Sequence, residues 1–236
     1  MLHDLTQRMR IDEWMDDPTL DCNRHRQALR GLARLNWVSG SVGRVWKVIR
    51  QYMSEQGQNE LSLLDVATGS GDIPIGLYRR ARRAGLHLKI VAVDISETAL
   101  EVARHRAARA GVKIDFRRCD ILEDNLAEQF DVVLCSLFLH HLEEGPSVEL
   151  LRILKQRARH LVVVNDLLRS RVSMALVWLG SRLLSRSKVV HFDAMASVRA
   201  AFTLSEMQGL ARSAGLESAR VWSYWPCRLL SVWSYP

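Results

Sequence analysis

Apolar positions begin at helical spacing and then change period. Val42, Val45, Trp46 and Ile49 fall at i, i+3, i+4 and i+7 and predict one apolar helix face. His25 to Leu35 has the same periodicity, so residues 1 to about 56 read as a helical extension or lid. Gly57-Gln58-Asn59 interrupts the pattern. From there short apolar runs alternate with helical patterns. The strands predicted are Leu61–Ala67, Lys89–Val93, Lys113–Arg117, Asp131–Cys135 and Leu161–Asn165. The helices predicted between them are Pro74–Ala84, Thr98–Ala110 and Val148–Ala158, with Gly85 and Gly111 just past the first two. Near-continuous apolar strands separated by helices imply a parallel sheet covered on both faces.

After Asp166 the alternation pauses. Arg171–Ser185 reads as an apolar-rich helix and the following stretch, to about Ala201, as polar; residues 167–201 are taken as a lid insertion. Thr203 and Glu206 form a capping-box pattern opening a helix that ends at Gly215. Arg220–Trp225 and Leu229–Trp233 flank Pro226 and predict a terminal antiparallel hairpin. The organisation expected is an N-terminal extension over 1–56 and one α/β domain over 57–236, its sheet seven-stranded and mostly parallel.

Composition narrows the class. Hydrophobic residues make up 48% and charged residues 25% of 236, an ordinary globular balance. Cys22, Cys119, Cys135 and Cys227 are dispersed without a C-x-x-C pair, against a zinc site or a disulfide framework. Met1 to Arg10 has no apolar signal core, and Val172–Leu184 is far short of the ~20 residues that span a bilayer. A cytoplasmic location is expected. The net charge of +7 raises nucleic acid as a partner, but the arginines (79, 80, 82, 83, then 104, 106, 109, then 152, 157, 159) are spread along helices and read as solvated faces.

Candidate chemistry sits at strand ends. The run Leu64-Asp65-Val66-Ala67-Thr68-Gly69-Ser70-Gly71-Asp72 closes the first strand, and its small residues let backbone approach a ligand. A dinucleotide fingerprint would need a small residue at position 74, which is Pro, and would set Asp72 beside a pyrophosphate. An acidic residue, Asp94, ends the second strand about 20 residues later, the place where ribose hydroxyls are held. Arg118-Cys119-Asp120-Ile121-Leu122 follows the third strand, and Cys135-Ser136-Leu137-Phe138-Leu139-His140-His141 follows the fourth.

The pattern D-x-A-x-G-x-G, with these later segments in order, resembles the class I S-adenosylmethionine (SAM)-dependent methyltransferases. It is nearest to the ubiquinone/menaquinone-type small-molecule enzymes, with Ala67 where the first glycine is more usual. The resemblance covers about residues 60–166, and more loosely an entry helix from Leu35-Asn36 to Trp46-Lys47. It implies a Rossmann-like fold and SAM as cofactor, with S-adenosylhomocysteine as product. By the same resemblance Asp65, Ala67, Thr68, Gly69 and Gly71 form the cofactor bend, Asp94 and Ile95 hold ribose and adenine, and Cys119, Asp120 and Ile121 line the adenine side. Cys135 and Ser136 would lie beside the methionine part and the transferable methyl.

The fourth-strand segment lacks the Asn/Asp-Pro-Pro-aromatic signature of base-amine methylation. The chain's Pro-Cys, Pro226-Cys227, lies in the hairpin rather than here. The resemblance, with its entry-helix match and small-residue motif and without an RNA-binding appendage, implies a phenolic, quinone-like or polyketide acceptor. Trp14, Trp37 and Trp46, with Val172, Met174, Leu176 and Trp178, would build its pocket or pack the lid. His140, His141 and His191 are candidates for a general base, against a packing or loop role, and no metal site is expected. An RNA or protein methyltransferase and a non-catalytic binding protein on the same fold remain as alternatives. Monomer or homodimer, and peripheral contact with an anionic membrane, are left open.

Overall fold

The computed structural model describes residues 5–11, 13, 14, 21, 27, 39–124 and 126–235. The helix read over His25–Leu35, the pair Leu35-Asn36, and Trp37 and Cys22 lie outside the described residues. In chain order the elements are α1 (Ser41–Glu55), β1 (Glu60–Val66), α2 (Asp72–Arg83), β2 (His87–Asp94), α3 (Glu97–Ala110), β3 (Asp115–Arg118) and β4 (Phe130–Ser136). There follow a single 3₁₀ turn (Leu139–His141), α4 (Glu144–Arg157), β5 (Ala158–Leu167), α5 (Arg171–Leu184), α6 (Lys188–Ala200), α7 (Leu204–Ser213), β6 (Arg220–Tyr224) and β7 (Arg228–Ser234).

The seven strands form one sheet in the order β3-β2-β1-β4-β5-β7-β6. Pairings from β3 through β5 are parallel, and β7 runs antiparallel to both β5 and β6. The fold is thus the Rossmann-like mixed sheet with a terminal antiparallel hairpin. The chain moves outward from β1 to β3 and then returns to the other side of β1. This switch between β1 and β4 opens a crevice at the strands' carboxyl ends, where such sheets bind ligands.

Strand alternation divides the core into two layers. Leu64, Val66, Val133, Cys135, Val162 and Val164 face α4 and α7, where Leu150, Leu154, Met207 and Leu210 meet them. Leu61, Leu63, Val132, Leu134, Leu161 and Val163 face α1 and α2, packing on Val45, Ile49, Met53, Ile73 and Leu77. The face anticipated at Val42, Val45, Trp46 and Ile49 is therefore a sheet-packing face, and Trp46 is buried within it.

Helix ends follow local chemistry. Ser96 caps α3 by accepting the Ala99 N–H at 3.3 Å, and Gly111 closes it at φ 61°. Thr203 and Glu206 complete the capping box of α7.

Two expectations are corrected. Residues 5–11 are not helical; they run as an irregular strap in which Met9 N–H donates to the Arg199 carbonyl at 3.1 Å. The stretch read as polar is α6, because Val189, Val190, Ala194, Val198 and Ala200 interleave with buried Asp193 and Ser197. Both polar side chains bond to the strap: Asp193 Oδ1 accepts the Trp14 N–H at 2.8 Å, and the Ser197 hydroxyl donates to Glu13.

Candidate active site

The bend after β1 is built from left-handed backbone. Ala67, Gly69 and Gly71 have φ of 54°, 54° and 73°. Ala67 occupies that region at a strain of about 1–2 kcal/mol, in a position that suits glycine. A Cβ at Gly71 would lie 3.1 Å from Ala103 Cβ and 3.3 Å from Ile75 Cδ1, so glycine is needed there for space as well as for φ. A Cβ at Gly69 would meet nothing within 4 Å, so the space above that backbone is open.

Carboxylates at neighbouring strand ends brace the bend. Asp65 is buried on the α1–α2 face of β1, and its Oδ2 accepts the Thr68 hydroxyl at 2.6 Å. Its other oxygen is buried without a hydrogen-bond partner among the described residues. Burial pushes the Asp65 pKa up to about 7, the Thr68 bond opposing and Asp94 reinforcing the shift. Asp94 accepts the Gly69 N–H at 2.7 Å and the Ser96 N–H at 2.9 Å, and burial raises its pKa against these bonds. Arg106, read from sequence as part of a solvated face, instead donates to the Ser70 hydroxyl at 2.8 Å and pairs with Asp72.

The remaining motif residues lie at or just past the carboxyl ends of β2, β3 and β4. Ile95, just past β2, leaves 58% of its apolar side chain exposed. Cys119 N–H donates to the Asp94 carbonyl at 3.0 Å, and burial with Asp124 and Asp120 nearby raises the Cys119 thiol. Asp120 closes a turn by accepting the Leu122 N–H at 3.1 Å, and Ile121 is buried beneath it. Cys135 and Ser136 part company. Cys135 is fully enclosed in the α4-side core with its thiol held well above the usual range by burial, whereas Ser136 is half-buried and receives an Asn165 side-chain N–H at 3.4 Å. Leu137 then turns at φ 58°.

The histidines separate into two places. His140 is buried, its Nδ1 lies 2.6 Å from Asp166 Oδ1, and its backbone N–H donates to Asp166 Oδ2 at 3.1 Å. Burial alone would raise the Asp166 pKa, but His140 and the Leu167 N–H outweigh it and hold the carboxyl below the usual range. His140 Nε2 faces Glu13 Oε1 at 3.8 Å, and the His141 ring lies 4.4 Å from that of His140. Glu13, His140 and His141 place one donor atom each within 4.8 Å of one another, a set whose chemistry could hold a cation. His191 lies elsewhere: its Nε2 donates to the Ser185 carbonyl at 2.8 Å and its ring lines a cavity of about 430 Å³ between α5, α6 and the strap.

Asp166, Glu13 and Asn165 were missed from sequence. Asn165-Asp166 at the carboxyl end of an apolar strand was the available signal, since that end faces the crevice. The strap adds Arg8, which stacks over Phe202 at 4.0 Å and donates to the His140 and Leu142 carbonyls at 3.0 and 2.6 Å.

Comparison with known proteins bears directly on this geometry. The profile of a methyltransferase domain family matches residues 63–162, the segment that holds the bend, Asp94 and the end of β4. Residues 63–162 thus match a methyltransferase domain, in line with the resemblance to the SAM-dependent enzymes. A ubiquinone biosynthesis O-methyltransferase of Hahella chejuensis is 39% identical over 88 residues, 36% of this chain and 34% of that protein. A ribosomal protein L11 methyltransferase of Caldicellulosiruptor bescii is 38% identical over 77 residues, 33% of this chain and 23% of that protein. The matches thus span about a third or less of these relatives. The fold extends further: the plantazolicin methyltransferase BpumL, solved with a monoazolic desmethylPZN analog and SAH, superposes with a TM-score of 0.67 at 18% identity, covering 94% of this chain and 91% of that one. Among the described residues no helix is long and apolar enough to cross a membrane.

Proposed function

We propose that this protein binds SAM in the β1–β4 crevice and transfers its methyl group to a small organic acceptor of phenolic, quinone-like or polyketide type. The observation that carries the cofactor reading is the bend itself. Three left-handed residues, Ala67, Gly69 and Gly71, leave open space over Gly69, and the buried Asp65 at the end of the same strand keeps one oxygen without a partner among the described residues. A cationic ligand answers that carboxylate.

In this reading Ala67, Thr68, Gly69 and Gly71 shape the cradle, with Asp65 beneath it. Asp94 holds ribose hydroxyls with the lone pairs left after Gly69 and Ser96, Ile95 offers its exposed face to adenine, and Cys119, Asp120 and Ile121 close that side. Ser136 reaches the methionine side, while Cys135 contributes backbone and supports from the core. When bound, SAM supplies an activated methyl on a sulfonium. The chain's part is alignment and exclusion of water, which can be worth roughly 7–11 kcal/mol of the barrier.

His140 is the residue we assign to proton removal from an acceptor hydroxyl. Asp166 fixes Nδ1, so Nε2 is the nitrogen free to take a proton, under the strap bearing Glu13. The strap and residues 167–201 are assigned to the acceptor side. The ubiquinone biosynthesis O-methyltransferase supports a small acceptor, the ribosomal protein L11 methyltransferase makes a protein acceptor the alternative, and the location proposed is cytoplasmic.

Incubation of the protein with methyl-labelled SAM and a panel of phenols, quinols and polyketides tests the reading. Label transferred to at least one small acceptor supports it; label appearing only in added RNA or ribosomal protein overturns it.

A further inference from the structure

The helix α5 is inverted. The residues it buries are Ser173 and Ser181, whereas Val172, Trp178, Leu179 and Leu183 are exposed at 60%, 46%, 48% and 74%. Val172, Ala175, Leu179 and Leu183 follow at steps of three and four, so they form one outward apolar stripe. A soluble surface helix with no partner carries the opposite pattern, and an exposed apolar stripe marks a contact surface.

Within its own segment the stripe is accompanied by one sign of charge. From Leu167 to Phe192 the sequence has no Asp or Glu, and Arg171, Arg182, Arg186 and Lys188 are all exposed. Arg182 stacks on Trp178 at 4.3 Å and donates to the Trp178 carbonyl at 3.1 Å, which fixes an aromatic–guanidinium pair at the rim. The same pair borders the 430 Å³ cavity, whose lining adds Lys188 and Arg199 and, among the described residues, no carboxylate. The β6–β7 turn adjoins the start of α5 through the contact of Cys227 Sγ with the Ser173 carbonyl at 3.8 Å, and it carries Trp225 at 68% exposure.

We propose that α5 and this turn dock on the surface of an anionic phospholipid bilayer. Apolar side chains enter the boundary between headgroups and chains, tryptophans sit at headgroup depth, and the arginine–lysine rim meets lipid phosphates. A second copy of the chain is the poorer occupant. A two-fold contact through this face sets the same cations against each other with no acidic residue in the segment to meet them. The proposal does not depend on the reaction catalysed.

Co-sedimentation of the full-length protein with vesicles of phosphatidylcholine, alone or mixed with phosphatidylglycerol, tests it. The expected result is sedimentation roughly ten-fold greater with the mixed vesicles, reversed by high salt. Two double variants, Leu179→Ser with Leu183→Ser and Arg171→Glu with Arg186→Glu, should each lower that binding by about ten-fold. Their thermal unfolding should match the parent, because all four side chains are exposed. Equal binding to both vesicle types, no binding to either, or a dimer in light scattering that Leu179→Ser with Leu183→Ser dissolves would each overturn the proposal.

Discussion

Asp94 accepts a hydrogen bond from the backbone N–H of Gly69 at 2.7 Å, joining the end of β2 to the bend after β1. The carboxylate proposed to hold the ribose thus also holds the bend in shape. A single side chain couples two parts of the proposed site.

That coupling sets the first prediction. Asp94→Ala removes a charged acceptor from two N–H groups and one carboxylate from the ribose position. Losing such bonds costs about 1.5–3 kcal/mol each, so SAM affinity should fall by at least ten-fold. Calorimetric titration of the variant checks this; unchanged affinity would separate Asp94 from the cofactor.

Asp65 predicts a pH signature. Its folded pKa is raised to about 7 by burial, so between pH 3.8 and 7 the folded state holds a proton that the unfolded state has released. The stability contributed by that proton is full below about 3.8 and is lost as pH rises through 7, a change of at most about 4 kcal/mol. Asp65→Asn has no such loss. Its melting temperature should therefore gain on the parent as pH is raised from 5 to 8 without ligand, while its SAM affinity falls. A melting-temperature difference that stays constant across this range contradicts the assignment.

Three small residues of the bend should behave differently. Gly71→Ala meets both a φ of 73° and Ala103 Cβ at 3.1 Å, so it should destabilise by about 2 kcal/mol or more. Gly69→Ala has open space and should cost only about 1 kcal/mol, with its larger effect on SAM affinity. Ala67→Gly relieves a φ of 54° and should be neutral or slightly stabilising. Denaturant unfolding orders the three; Gly71→Ala as the mildest would contradict the packing.

The His140–Asp166 pair predicts a kinetic split. His140→Gln should lower kcat by about 10²–10⁴-fold on an acceptor that must lose a proton, with SAM affinity kept within a few-fold. Asp166→Asn should give a smaller loss and shift the pH–rate profile, since it acts by orienting the ring. Equal kcat for His140→Gln and the parent would return His140 to a packing role.

Much of this architecture was legible because burial writes itself into the sequence. Continuous apolar runs such as Leu161–Asn165 gave the parallel strands, and Thr203 with Glu206 gave the start of α7. What escaped was what tertiary contact decides. The buried face of α6 includes Asp193 and Ser197, satisfied by a strap some 180 residues away, so it read as polar loop. The His140–Asp166 pair joins residues 26 apart that only the β4–β5 register brings together. Cys135 and Ser136 are neighbours in one motif, yet strand alternation sends the first into the core and leaves the second at the crevice.

The proposed ligand is a sulfonium nucleoside lying across the β1–β4 crevice. The most direct measurement is calorimetric titration of the protein with SAM, S-adenosylhomocysteine and NAD, repeated on Asp94→Ala. One binding site for SAM and one for S-adenosylhomocysteine, both weakened by the substitution, with no heat from NAD, is the result predicted. Binding of NAD in place of SAM, or SAM binding indifferent to Asp94, would contradict it.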